Sequence, residues 1–508
     1  MTTPFPQAAS VDIMLLLEGT FPYVSGGVSS WVNQLMQGLP EYRFGIVFLG
    51  SRPEDYGLVK YTFPSNLVHL EAHYLFAAGD APPPKTPRRM PGTPACLRDL
   101  HAQLRQKDRP FLPKALRDLS FYADHGAIPL TEFLYGEDSF AYITETYEER
   151  CTDPSFVDYF WTVRNMHLPI WRLAAIARKL VPARCYHAVS TGYAGLLGAL
   201  LRWHAGRPLI LSEHGIYTKE RRIDLLNAAW VTDRRSRLER DPSEISYLRE
   251  LWIAFFESLG RACYEAADHV VALYPAAQDR QIADGADKAQ TLIIPNGVPI
   301  APFAAIRAPR PDSSFTAPVL CLLGRVTPIK DIKTFIRAMR AVIAEIPQAQ
   351  GWIVGPEDED PSYVAECRAL IDNLDLAAHV RFKGFQPVTD ILPQVHLLVL
   401  SSISEGLPLV LLEGFAAGVP AVCTDVGACR RLIFGGEDDH LGAAGDITGI
   451  ADPQALAHAA TALLTDSTRW RAAQTAAIAR VETHYTDARM YQQYRTLYQE
   501  AHDVANDT

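Results

Sequence analysis

Residues 401–420 read SSISEGLPLVLLEGFAAGVP, and they pose a problem of charge. From Leu407 to Pro420 the run is apolar except for Glu413. If that run is a buried helix, an unmet carboxylate inside it is costly, so something polar must meet Glu413. Upstream, HLLVL (396–400) reads as a short buried parallel strand and SSISEG as a loop. Pro408 then reads as the first-turn residue of a helix that reaches about Ala417. In an open α/β sheet, such a strand–loop–helix unit presents backbone N–H groups and a positive helix end at the carboxyl edge, where anionic ligands bind. Glu405 stands at the mouth of that site. Glu413 lies about a turn and a half into the helix, placed to accept two hydrogen bonds from a vicinal diol. Two carboxylates beside a helix N-terminus suit a nucleotide sugar.

A chain of 508 residues leads us to expect two large domains. Its 48% hydrophobic and 21% charged content fits a globular protein able to bury sizeable cores. The formal charge of −10 argues against broad nucleic-acid binding, so any phosphate site is local. The opening MTTPFPQAASVDIM has no basic or signal-like stretch, and no run approaches the ~20 apolar residues of a membrane span. A cytoplasmic protein is expected. Eight cysteines without a CxxC pair read as reduced structural thiols.

The chain opens with VDIMLLLEG (11–19), a buried parallel strand, then a loop and a helix from about Ser29 to Gly38. Gly26 and Gly27 in that loop let backbone approach a phosphate or sugar closely, although a plain turn uses such a pair equally well. No GxGxxG follows the strand, which weighs against a dinucleotide dehydrogenase. FGIVFLG (44–50) and NLVHLEA (66–72) are further strands. From about 76 to 165 the βα rhythm breaks, and a Pro-, Arg- and aromatic-rich segment reads as a largely helical insertion. Acceptor recognition, a partner surface, a lid or an ordered decoration would each suit it.

Alternation resumes with a helix near His167–Leu180 and the strands CYHAVS (185–190) and PLILSEHG (208–215). His214 ends the latter at the rim of the sheet, where it is either a site residue or a capping or core histidine. YTKERRID (217–224) either borders an acceptor or is a solvated helix start. HVVALY (269–274) and TLIIPNGV (291–298) close the first series. After a Pro- and Ala-rich linker, VLCLLGRV (319–326) starts a second. Arg325 and Lys330 bracket the turn before its first helix, two cations able to neutralise a diphosphate. A D-x-D metal role for Asp358-Glu359-Asp360 is set aside, because those cations and a helix end already supply positive charge.

Glu405 and Glu413 form an E-x7-E pattern in its E-G-x-P form, with Gly406, Leu407, Pro408 and Gly418-Val419-Pro420 around it. This resembles retaining glycosyltransferases of the GT-B architecture, family 4. Arg325 and Lys330 match that family's G-R-x-x-x-x-K motif, and Ile294–Val298 its domain-end signature. Gly26-Gly27 resembles its glycine loop facing the donor, and His214 its histidine near the donor sugar and leaving phosphate. Backbone near Lys383–Phe385 would meet the nucleobase, with Phe385 a candidate. The opening and the 76–165 segment look closest to the cytosolic glycosyltransferases of bacterial Pel exopolysaccharide synthesis.

The resemblance implies an α/β protein of two Rossmann-like, doubly wound domains with a deep interdomain cleft. The first domain would span 1–300, with the insertion at about 76–165, completed by a C-terminal helix at about 484–508 that crosses back. A linker at 301–317 would lead to a nucleotide-sugar domain at 318–483. The implied activity is transfer of a hexose or N-acetylhexosamine from a UDP-sugar to a growing polysaccharide, with no cofactor and no metal. His214 and Glu405 would be catalytic; Gly26, Gly27, Arg325, Lys330, Phe385, Glu405, Gly406, Leu407, Pro408 and Glu413 would bind donor. Implied partners are a carbohydrate acceptor and membrane-embedded synthase or export subunits holding the protein at the inner membrane, with no nucleic acid. A GT-B nucleotide-sugar epimerase and a non-catalytic nucleotide-sugar-binding scaffold remain open alternatives.

Overall fold

Val11–Glu18 is apolar on both faces and almost wholly buried, the pattern of a parallel strand covered by helices on both sides. The computed structural model describes residues 5–76, 98, 102, 130–151, 155–228, 230–231, 245–307 and 315–506. We number that first strand β1 (Val11–Glu18), followed by β2 (Phe44–Gly50), β3 (Leu67–Tyr74), β4 (Ala183–Ala188), β5 (Leu209–Ser212), β6 (His269–Ala272) and β7 (Thr291–Ile293). They form one parallel sheet in the order β3-β2-β1-β4-β5-β6-β7. The order reverses between β1 and β4, a switch point where helices on opposite faces leave a crevice at the carboxyl ends.

A second parallel sheet holds β8 (Val319–Leu323), β9 (Gln350–Val354), β10 (Val380–Gly384), β11 (Leu397–Leu400), β12 (Ala421–Thr424) and β13 (Gly445–Thr448). Its order is β10-β9-β8-β11-β12-β13, so its switch point lies between β8 and β11. The loops carrying Arg325 and Glu405 leave those two strands. The doubly wound α/β architecture is therefore present twice, once around each sheet.

The chain divides into two compact units, residues 1–293 with 495–508, and residues 294–494. The helix Asp487–Asn506 thus ends in the first unit, where the buried Tyr498 hydroxyl lies 2.7 Å from His187 Nδ1. His187 Nε2 lies 2.8 Å from Ser212 Oγ, which links that helix to β4 and β5. In the second unit Trp470 is wholly buried and its Nε1 donates to the carbonyl of His396 at 2.8 Å, sealing the base of β11.

Several boundaries differ from expectation for local reasons. The helix expected near His167 spans Phe156–Lys179, with Ser155 accepting from the Asp158 N–H at its start. Pro169 sits inside this long helix, whose inner face is buried. Of the expected insertion, Leu130–Tyr135 and Glu137–Arg150 are helical, while 77–97, 99–101 and 103–129 lie outside the described residues. Cys185, Cys263, Cys321, Cys367, Cys423 and Cys429 are buried and outside disulfides; Cys96 lies outside the described residues. No described helix is long and apolar enough to cross a membrane.

Candidate functional site

In the second unit, the sheet edge at β8 and β9 is built on two glycines. Gly324 and Gly355 both have φ +153, and a Cβ on Gly355 would lie 1.9 Å from the Gly324 carbonyl oxygen. Arg325 follows directly, and its guanidinium donates to both carboxylate oxygens of Glu359 at 2.9 and 2.7 Å. A short turn, Pro328–Lys330, then leads to Asp331, which caps the helix Ile332–Glu345 by accepting from the Thr334 N–H and hydroxyl.

Lys330 turns inward. Its Nζ lies 2.5 Å from Glu405 Oε1, and Ser402 Oγ donates to the same oxygen at 2.6 Å. Ile403 N–H donates to the Ile329 carbonyl at 2.8 Å, and Ser401 Oγ bonds the carbonyls of Lys330 and Asp331. The loops after β8 and β11 are thereby zipped together across the switch point. A third loop clamps them: Gly427, at φ +54, leaves room where a Cβ would stand 2.3 Å from the carbonyl oxygens of Glu405 and Gly406. Ala428 N–H donates to the Gly406 carbonyl at 2.8 Å.

The helix behind this loop spans Leu409–Ala416, one residue later than expected, because Pro408 has an extended ψ of 112° and occupies the capping position. Leu407 is buried. Leu411, Leu412 and Phe415 are buried too, and Gly414 lets the helix lie against β11, where a Cβ would meet Leu398 Cδ1 at 2.1 Å. Glu413 is the exception on this helix. Its half-buried carboxylate has no hydrogen-bond partner among the described residues, and burial alone pushes its pKa up to about 7. Phe385 follows Gly384 at the end of β10, two strands from β8, and is 77% exposed. Lys383 beside it lies 4.3 Å over the Trp352 ring.

Lys330 and Glu405 are thus in contact, with Gly406, Leu407, Pro408 and Glu413 following on the same loop and helix. Arg325 stands in the neighbouring loop. Sequence reasoning did not single out Ser402, Gly427 or Glu359 as site residues. Glu359 was visible only as part of an acidic run, yet it is the partner of Arg325. Its neighbour Asp360 caps the helix Pro361–Asn373 by accepting from the Tyr363 N–H at 3.0 Å.

At the β1/β4 switch point, residues of the first unit line an open cavity of about 500 Å³. His214, two residues beyond β5, lines it. Its ring packs edge-on to Trp31 at 4.3 Å, its Nε2 is shielded and unpartnered, and burial pushes its pKa down to about 4. The preceding Glu213 is buried and accepts from the hydroxyls of Tyr264 and Thr191 and the amide of Gln281, which fixes the end of β5. Gly26 precedes the helix Gly27–Gly38. Its extended φ of 167° suits any residue, and open space surrounds its would-be Cβ. Val28, next along, reaches the cavity wall.

Glu18, at the end of β1, accepts from the backbone N–H groups of Tyr193 and Ala194 at 2.6 and 3.3 Å, anchoring the helix Tyr193–Ala205. It also accepts from the Tyr217 hydroxyl at 3.0 Å. The Arg221 guanidinium lies 3.8 Å from Glu18 and over the rings of Tyr217 and Phe256. The sequence showed Glu18 only as the end of an apolar strand.

Residues 11–289 match the family described as "Domain of unknown function (DUF3492)", and residues 317–466 match "Glycosyl transferases group 1". Over 190 residues the chain is 30% identical to N-acetyl-alpha-D-glucosaminyl L-malate synthase of Bacillus anthracis, covering 37% of this chain and 46% of that protein. The chain spans about half the length of the curated relatives it matches. Among solved structures, Anabaena HepE in complex with UDP is similar at 15% identity and a TM-score of 0.55, covering 96% of this chain and 100% of that one. Sucrose-phosphate synthase of Thermosynechococcus elongatus is similar at 18% identity and a TM-score of 0.57, covering 96% and 98%. These likenesses establish the GT-B fold.

Proposed function

Because the chain belongs to the DUF3492 family, whose description leaves the activity open, we propose one: a retaining glycosyltransferase moving a hexose or N-acetylhexosamine from a UDP-sugar to a growing polysaccharide. The group 1 glycosyl transferase match over 317–466 supports the reaction class. The observation that carries the reading is Glu413. A half-buried carboxylate without a protein partner costs stability, and a ribose diol supplies the two donors it lacks.

The remaining roles follow from placement. Arg325, Lys330 and the helix beginning at Leu409 stabilise the diphosphate as the glycosidic phosphate bond breaks, which removes the need for a divalent metal. Glu405 positions the sugar ring and stabilises its developing charge, and Phe385 flanks the base. His214 and the Gly26-Gly27 loop are the first unit's candidates for acting on the sugar. The acceptor attacks from the side of the leaving phosphate, which takes the proton, so no protein nucleophile is needed. The resemblance of the N-terminal segments supports an exopolysaccharide of the Pel type as product, with membrane-embedded synthase or export subunits as cytoplasmic-face partners.

The test is a thermal-shift panel of nucleotides and nucleotide sugars, followed by NMR assignment of the product's anomeric configuration. A ligand at 100 times its Kd stabilises by about 2.7 kcal/mol, which the panel resolves. UDP and one UDP-sugar should raise Tm above ADP and GDP. A panel in which no nucleotide moves Tm sinks the reading, and an inverted anomer sinks its retaining part.

A further inference from the structure

We infer that Ser402 is a positioning residue: its hydroxyl holds the Glu405 carboxylate in place once a diphosphate has drawn Lys330 away. The backbone around Glu405 is fixed on both sides. Ile403 N–H donates to the Ile329 carbonyl before it, Ala428 N–H donates to the Gly406 carbonyl after it, and Gly427 packs against the carbonyl oxygens of Glu405 and Gly406. What stays free is the long glutamate side chain, whose rotamers cost free energy to fix. Two donors fix it, and both end on Oε1: Lys330 Nζ at 2.5 Å and Ser402 Oγ at 2.6 Å. Oε2 accepts nothing among the described residues, which leaves its lone pairs to another group.

The two donors are not equivalent. Lys330 carries its charge on a flexible four-carbon stem and is assigned above to phosphate, so its hold on Glu405 weakens as the donor binds. Ser402 is built in. It is 1% exposed, its hydroxyl donates to the carboxylate, and its carbonyl accepts from the Thr424 hydroxyl at 2.6 Å. Thr424, likewise 1% exposed, is the last residue of β12, so a core strand backs the serine. A hydroxyl that donates to an ionised carboxylate makes one of the stronger hydrogen bonds. The inference rests on the reading of Glu405 as the group that acts on the sugar; Ser402 works through that carboxylate.

Full-length wild type, Ser402→Ala and Thr424→Val are compared for hydrolysis of UDP-glucose, UDP-N-acetylglucosamine and UDP-N-acetylgalactosamine, with UDP affinity read by calorimetry. Ser402→Ala should lower kcat about 10- to 150-fold, the worth of a hydrogen bond to a charged group, while donor KM and UDP Kd stay at wild-type values. Thr424→Val removes the hydroxyl behind Ser402 and should lower kcat in the same sense by less; it decides the matter if Ser402→Ala does not fold. In a Glu405→Asp background the shorter carboxylate no longer reaches Ser402, so adding Ser402→Ala should cost no further turnover. Unchanged kcat in the folded variants, a loss of UDP affinity that matches the loss of kcat, or a full additional loss on Glu405→Asp overturns the inference. UDP binding without turnover of any of the three donors sinks this inference alone, and a wild type silent to UDP sinks the donor reading with it.

Discussion

Lys330 and Glu405, on loops leaving the two strands of the β8/β11 switch point, meet at 2.5 Å between Nζ and Oε1, and both side chains are mostly buried. Arg325 and Glu359 form a second, half-exposed pair in the neighbouring loop. Both cations proposed to read a diphosphate thus rest on protein carboxylates. A diphosphate must exchange for two carboxylates rather than fill bare positive charge.

Replacing Arg325 or Lys330 by alanine should therefore weaken UDP far more than uridine. A charged hydrogen bond contributes about 1.5–3 kcal/mol, or roughly 10- to 150-fold in affinity. Titration of both ligands into each folded variant decides this. Equal weakening of uridine and UDP would show that these side chains do not read phosphate.

Glu413 makes a prediction about pH. Its folded pKa, about 7, lies above the ordinary value of 4.5 because burial disfavours the charge. The contribution of its protonated form is fully present below pH 4.5 and is lost as pH rises through 7. Glu413→Gln should therefore raise the Tm of ligand-free protein at pH 8 and leave it unchanged at pH 4.5. On the proposed reading UDP engages the ionised carboxylate, so UDP affinity should rise more steeply from pH 6 to pH 8 in the wild type than in the variant. A variant that melts lower at pH 8 would mean that Glu413 has a protein partner.

The sheets were legible in the sequence because parallel strands buried on both faces read as unbroken apolar runs; β1 and β11 are such runs. β13, Gly445–Thr448, carries Asp446 and Thr448 and went unread. The Lys330–Glu405 contact could not be read either, since 75 residues separate the partners and the strand order β8-β11 alone brings their loops together. Glu18 was hidden for a similar reason. Its role depends on a helix start 175 residues away, where the N–H groups of Tyr193 and Ala194 await an acceptor.

Metal removal tests the division of charge at the donor site. Arg325 and Lys330 supply two positive charges, so donor hydrolysis or transfer should survive EDTA. Complete loss of turnover, restored by Mg²⁺ or Mn²⁺, would mean that the cations do not suffice and would return Asp358 and Asp360 to consideration.

Stability of the second unit should hinge on Arg480. This side chain is wholly buried, bonds both carboxylate oxygens of Asp439 at 2.6 and 3.0 Å, and donates to the carbonyls of Leu432, Ile433 and Gly442. Arg480→Met strands the buried Asp439 and three carbonyls and should cost about 3–5 kcal/mol in urea unfolding. Asp439 is held below its ordinary pKa despite its burial, chiefly by the Arg480 hydrogen bonds. The pair's contribution should accordingly persist at neutral pH and fade as pH falls through that lowered value. A variant within 1 kcal/mol of wild type would show that the site relaxes around the loss.

The two glutamates should separate binding from turnover. Glu413 lies on the helix behind the loop, where the proposed ribose would supply its missing donors. Glu413→Ala should weaken UDP itself by about 1.5–3 kcal/mol, roughly 10- to 150-fold. On the proposed reading, Glu405 works on the sugar ring and its developing charge. Its alanine variant should bind UDP nearly as the wild type does yet lose transfer, since its interactions are strongest in the transition state. Freed Lys330 complicates this in one direction only. Without Glu405 the ammonium has no competing carboxylate at 2.5 Å, so UDP affinity in Glu405→Ala should stay level or rise. Calorimetry with UDP and a turnover assay on both variants decide the assignment. Lost UDP affinity in Glu405→Ala with retained affinity in Glu413→Ala reverses the two roles, and normal binding and turnover in both moves the donor site elsewhere.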